Sequence, residues 1–164
     1  MAASALKHEL QTAFVPFVRS AGFEEVSHGT GLFMEFRRRA GAVVQVLEIQ
    51  WEKHGLPRFV INYGTCPSSG IDVHGRHVVA ADVSAGWLPD SGRLQPRRGA
   101  TTASWFRQDR PLLARFLLRP RFRAEAEVVR EAVLLFAELE AYWRLGIVGK
   151  HMHATPPPAI RRAG

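Results

Sequence analysis

From Gly31 to Gly64 the chain reads GLFMEFRRRAGAVVQVLEIQWEKHGLPRFVINYG, which spells three successive strands joined by two short turns. Val43, Val44, Val46, Leu47, Ile49 and Trp51 form its densest β-branched and aromatic run. Ala40-Gly41 and His54-Gly55-Leu56-Pro57 break the pattern on either side, so this run is predicted to be the central strand of an antiparallel meander. Side chains alternate between the two faces of a strand, and the sequence follows that period. Leu32, Met34 and Phe36 oppose Phe33, Glu35 and Arg37; Val43, Leu47, Ile49 and Trp51 oppose Val44, Val46, Glu48 and Gln50; Phe59, Ile61 and Tyr63 oppose Val60 and Asn62. One face is expected to be apolar and covered by helices, and the other to carry Glu35, Glu48, Gln50 and Asn62.

Two helices are available as cover. Behind Ser4 as N-cap, Leu6, Leu10, Phe14, Phe17 and Val18 fall on one helical face, with Gly22 as the terminating residue and a bend expected at Pro16. From about Arg123 to Leu145, Val129, Ala132, Val133, Phe136, Leu139 and Trp143 make a second stripe, stopped by Gly146. Between sheet and second helix, residues 65–102 carry little periodicity. His77 to Val83 is a candidate short strand, Ser104-Trp105-Phe106 a candidate last strand or anchor, and a short helix carrying Leu112, Leu113, Phe116 and Leu117 is expected between Asp109 and Pro120. The order of elements predicts an α+β fold, an antiparallel β-meander sheet with two long helices packed on one face. At 164 residues the chain suits one domain, assigned to residues 1–153. Residues 154–164, ATPPPAIRRAG, read as a disordered Pro-rich tail.

Composition excludes several function classes. The single cysteine, Cys66, rules out an intramolecular disulfide framework, and MAASALKHEL lacks the unbroken apolar stretch of a signal peptide. No window approaches a membrane span, so a cytoplasmic protein with no membrane partner is expected. Net charge is +7, but nine arginines between Arg93 and Arg123 against Asp109 alone give that segment +8 and leave the remainder at −1. Arg97, Arg98, Arg107 and Arg110 are the basic-patch candidates for phosphate contact, with Trp87, Trp105 and Phe106 near them. The run contains the apolar stretch Leu112 to Leu118 and no nucleic-acid fold motif, so a solvated basic rim is the expectation and nonspecific nucleic-acid binding the third reading.

Glu48, Gln50 and Asn62 project from neighbouring strands onto the polar face, and Arg93 joins them if Gly92 to Gln95 pairs with the sheet. Amides supply donors and acceptors and the arginine holds an anion, which suits a polar ligand or peptide. A sheet open to water on one side requires polar residues there in any case, and a solvated face is the expectation. Trp105 completes the candidate binding set. His74 with His77, and His151 with His153, are the paired histidines, and the latter pair is assigned to a frayed C-terminus. Neither has the third ligand a zinc site needs, and no phosphate-binding glycine loop or nucleophile elbow occurs, so no metal, cofactor or catalytic residue is assigned.

The first helix ending in Gly22-Phe23, then Phe33, Phe36-Arg37, VQVLEIQ at 44–50, Phe59 to Gly64, Gly92-Arg93-Leu94 and Trp105 together resemble a bacterial family of small α+β proteins known as a domain of unknown function. The resemblance spans about residues 4–145. Some members look associated with bacterial immunity genes, which implies a protein-binding role, and the expectation is a non-enzymatic domain that binds a protein or peptide partner. A small-molecule-binding protein or an enzyme using the polar sheet face is the alternative.

Overall fold

A computed structural model describes residues 2–26, 31–99, 104–109 and 122–154. The chain opens with α1 (Ala2–Glu9), passes through a π-helical turn (Leu10–Phe14) and continues as α2 (Val15–Ser20). The π turn is how the helix accommodates Pro16. Proline brings no N–H and its ring crowds the carbonyl four residues back, and widening the turn ahead of it relieves that contact without ending the helix. Phe23 N–H donates to the Val18 carbonyl and Gly22 N–H to that of Arg19, with Gly22 at φ +89°, so α2 ends in a Schellman motif.

The strands are β1 (Glu24–Val26), β2 (Phe33–Ala40), β3 (Val43–Trp51), β4 (Arg58–Pro67), the hairpin β5 (Ile71–Val73) and β6 (Arg76–Val78), then β7 (Gly92–Leu94), β8 (Phe106–Arg107) and β9 (Met152–Ala154). Helix α3 (Glu125–Leu145) lies between β8 and β9. Among the described residues, seven strands make one antiparallel sheet in the order β1-β2-β3-β4-β7-β9, with β8 beside β7 on the same edge of β4. The expected α+β fold and its central meander are present. The expected helix between Asp109 and Pro120 and the tail from 155 onward lie outside the described residues.

One face of the sheet meets the helices. Leu47, Ile49, Phe59, Ile61 and Leu94 pack with Leu6, Leu10, Phe14, Val18, Phe136 and Leu139 in a single core. Phe136 takes Phe14, Phe17, Phe23 and Trp143 around it in edge-on contacts, a geometry aromatic rings favour over face-to-face sandwiching. Val43 shares that face by parity but stands at the hairpin end, half-buried and outside the core.

The second face departs from expectation. It is not solvated: the segment from Ala80 to Leu88, with a 3-10 turn at Ala85–Trp87, lies over it, and Val44, Val46, Cys66, Ala80, Val83, Ala85 and Leu88 form a second core. Strand β4 extends through Pro67 to reach this layer, and the strand expected from His77 to Val83 is confined to Arg76–Val78. Irregular chain can act as a layer when its few apolar residues are spaced to reach one surface, and no period in the sequence announces it. A further correction concerns His151 and His153. They are not frayed: β9 pairs with β7, Met152 enters the first core, and Ala154 closes the strand.

Two substitutions probe the two cores separately. Ile49→Ala is expected to cost about 2–5 kcal/mol in urea unfolding, the range for truncating a buried isoleucine. Gly64→Ala would bring a methyl to 2.6 Å from Leu88 Cδ1, so it should lower the melting temperature while a probe of the helical face, such as Trp143 fluorescence, keeps its native signal.

Candidate functional site

The cover does not fill the second face completely. Between it and the sheet is a cavity of about 260 Å³ lined by Glu48 and Gln50 of β3, Asn62 of β4, Gly92 and Arg93 of β7, Phe33 of β2 and the Ser84–Gly86 stretch with Ser91. The pairing explains why these residues meet. Glu48 is the register partner of Glu35 on one side and Asn62 on the other, and Arg93 is the partner of Asn62. Directly opposed residues in antiparallel strands point to the same face with Cβ atoms about 5 Å apart, so a single row of the sheet presents carboxylate, amide and guanidinium in sequence.

Hydrogen bonds fix the row. Arg93 Nε donates to Asn62 Oδ1 at 3.2 Å, and Asn62 Nδ2 donates to Gln50 Oε1 at 3.1 Å. Glu48 is buried, with 2% of its surface exposed, and accepts the Ala85 N–H at 2.7 Å. Burial pushes the Glu48 carboxyl above its ordinary value; the Ala85 bond, the nearby Arg37 and the Ser84 side chain work against that shift and the neighbouring Glu35 adds to it. Glu35 has its own counter-ion, since Arg37 Nη2 donates to Glu35 Oε2 at 3.0 Å and also to the Val83 carbonyl at 2.7 Å. Among the described residues neither Glu48 nor Arg93 takes part in an ion pair.

Gly92 sets the approach of β7. A Cβ there would overlap the Tyr63 hydroxyl on the paired strand, so only glycine lets β7 sit close enough for Arg93 to reach Asn62. On its other side β7 is held by β9, where His153 is the register partner of Arg93.

Glu48, Gln50, Asn62 and Arg93, selected on strand parity, are therefore brought together. Trp105 is not: it precedes β8, is half-buried, and does not line the cavity. The basic candidates do not act as one group either. Arg97 and Arg98 are exposed. Arg107, expected on a solvated rim, donates to the Asp109 carboxylate and carbonyl at 2.7 Å each, and Arg58 grips the same carboxylate through Nε and Nη2. Asp109 is pushed up by burial, but the hydrogen bonds from Arg58 and Arg107 outweigh this and hold it below its usual range. Arg110 lies outside the described residues. His77 bonds Asp72 within the β5–β6 hairpin and His151 bonds Glu138 of α3, and no three potential metal ligands converge among the described residues.

Ser84, Ala85, Ser91, Gly92 and Phe33 were not among the sequence-selected residues. Phe33 and Gly92 are recoverable from strand parity and from their adjacency to Gln50 and Arg93. Ser84 and Ser91 lie in aperiodic chain that carries no such signal. Comparison with protein-family models, with curated proteins and with solved structures finds no match to this chain.

The raised Glu48 carboxyl has a signed consequence. A carboxyl with a folded pKa above its unfolded value, about 4.3 for glutamate, holds more protons when folded, so stability falls as pH rises through the interval between the two values and then levels off. Glu48→Gln removes that loss while keeping an acceptor for Ala85 N–H. The melting temperature of the variant relative to the parent should therefore rise as pH is raised above about 4; a difference that falls with pH would contradict the assignment.

Proposed function

We propose that this protein is a non-enzymatic binder of a small polar ligand carrying an anionic group, seated in the cavity of Glu48, Gln50, Asn62 and Arg93. One observation carries the reading: Arg93 is drawn over the sheet through Nε alone, and its terminal nitrogens have no hydrogen bond among the described residues. A guanidinium with both terminal groups free beside a cavity is the donor geometry that grips a carboxylate or phosphate through two parallel bonds. The volume, about 260 Å³, falls just below the roughly 300–1,000 Å³ typical of drug-sized ligands and suits a metabolite-sized one.

A second reading, binding of a protein partner as the resemblance to the immunity-associated family implies, is supported by Leu134, Leu145, Ile147 and Val148, which are 56–69% exposed on α3 and just after it. The nucleic-acid reading gains nothing from Arg107, whose guanidinium is already engaged. No helix among the described residues is long and apolar enough to cross a membrane, and the free, buried Cys66 supports a reducing compartment such as the cytoplasm.

Calorimetric titration with a panel of small organic acids, amino acids included, and inorganic phosphate tests the first reading. At least one compound should bind saturably, and Arg93→Gln should weaken it by about ten- to a hundred-fold, the worth of a hydrogen bond to a charged group. Absence of saturable binding across the panel would sink it.

A further inference from the structure

We infer that the ligand of this cavity is a zwitterion, a small amino-carboxylate whose carboxylate sits on Arg93 and whose ammonium sits on Glu48. The inference rests on the proposed polar-ligand site and names its chemistry.

The fold leaves two charges in this cavity unmatched among the described residues. Most charged side chains in the sheet's interior layers are neutralised by a neighbour: Glu35 by Arg37, Asp109 by Arg58 and Arg107, Glu140 by Arg38. Glu48 and Arg93 are the two charged residues lining the cavity, they are opposite in sign, and neither has an ion-pair partner among the described residues. They also do not neutralise each other. Asn62 stands between them in the row, one register step from each, and holds Arg93 by its Nε. Adjacent strands lie about 4.8 Å apart, so Glu48 and Arg93 are anchored roughly 10 Å from one another. Because the guanidinium leans over Asn62, toward β3, the charged ends are nearer than their anchors.

A simple anion satisfies only one end. A phosphate on Arg93 would bring more negative charge into a cavity that already holds a carboxylate, and like charges at short range in a partly desolvated site repel. A simple amine meets the reverse problem at Arg93. A neutral polar molecule leaves the guanidinium without its counter-charge. A molecule with an ammonium and a carboxylate on one short backbone answers both ends, with Asn62 between them and the Gln50 amide beside them, linked to each other and to Arg93. Glu48 retains acceptor capacity for the ammonium, because the Ala85 N–H and the Ser84 side chain occupy two lone-pair directions of about four on a carboxylate.

The test is calorimetric titration of the full chain with a homologous series, glycine, 3-aminopropanoate, 4-aminobutanoate and 6-aminohexanoate, beside butanoate and butylamine as single-charge analogues. One member of the series should bind about ten- to a hundred-fold more tightly than either analogue. Arg93→Gln should bring that member down to the level of butylamine, and Glu48→Gln to the level of butanoate. If butanoate binds as tightly as the best amino acid and Glu48→Gln changes nothing, the zwitterion is wrong while an anion site stands. If neither series nor analogues bind, the zwitterion is wrong, and the anion site then stands or falls on the wider panel of organic acids and phosphate. Should Glu48→Gln fail to fold, comparison of 4-aminobutanoate with its N-acetyl derivative on the parent protein asks the same question: equal affinity overturns the inference, and loss on acetylation supports it.

Discussion

Strand β3 is covered on both faces, and the remaining architecture answers the demands this creates. A central strand with solvent on one side can place any polar residue outward, but β3 has Leu47, Ile49 and Trp51 in the helical core and Val44 and Val46 in the second core. Two of its three polar members, Gln45 and Glu48, are buried as well and need partners from other elements. Gln45 takes Arg38 Nε at 2.6 Å, and Glu48 takes a backbone N–H from the covering segment. The cover is thus placed by a carboxylate as much as by Val83 and Leu88, and the cavity is the part of the row that the cover does not reach.

Arginine recurs in this scheme as a tie between elements. Arg38 is the fullest case: it donates to Gln45 on β3, to the Ala21 carbonyl at the end of α2 and through two nitrogens to Glu140 on α3, while its guanidinium lies 4.4 Å from the centre of the Phe23 ring. A planar fork with five donors can hold three elements in one geometry where the ammonium of lysine would hold a point. Arg58 and Arg107 share Asp109 in the same manner at the far end of β4. The excess of arginine over lysine therefore has structural work inside the fold, and Arg93 differs in that its terminal nitrogens have no hydrogen bond among the described residues.

The meander and both helical stripes were legible because period 2 and period 3.6 are direct consequences of backbone geometry. Leu10, Phe14, Leu47, Ile49, Phe59, Ile61, Phe136 and Leu139 could be assigned to one core from spacing alone. Parity also put Glu48, Gln50 and Asn62 on one face, and a conditional pairing of Gly92 to Gln95 brought in Arg93. Illegible was whether water or protein lay above that face. Ala80, Val83, Ala85 and Leu88 make contact as irregular chain, where no repeat relates position to direction, so the second core left no periodic trace. The third strand of the edge, β9, was missed for a different reason: three residues after a glycine-bounded helix carry too little pattern to distinguish a strand from a loose end.

The position of β9 matters for the order in which the molecule can be assembled. Strand β7 is only three residues long and is flanked by β4 on one side and β9 on the other, the latter drawn from about sixty positions farther along the chain. On a ribosome adding about 5–20 residues per second, the meander, its first helix and Arg93 itself are all outside the exit tunnel well before Met152 to Ala154 appear. Until then the row ends in an unpaired three-residue edge with α3 not yet docked beside it. Every residue lining the cavity, from Phe33 to Arg93, is thereby synthesised before the strand that completes this edge of the sheet, so the wall made by β7 exists well before β9 braces it.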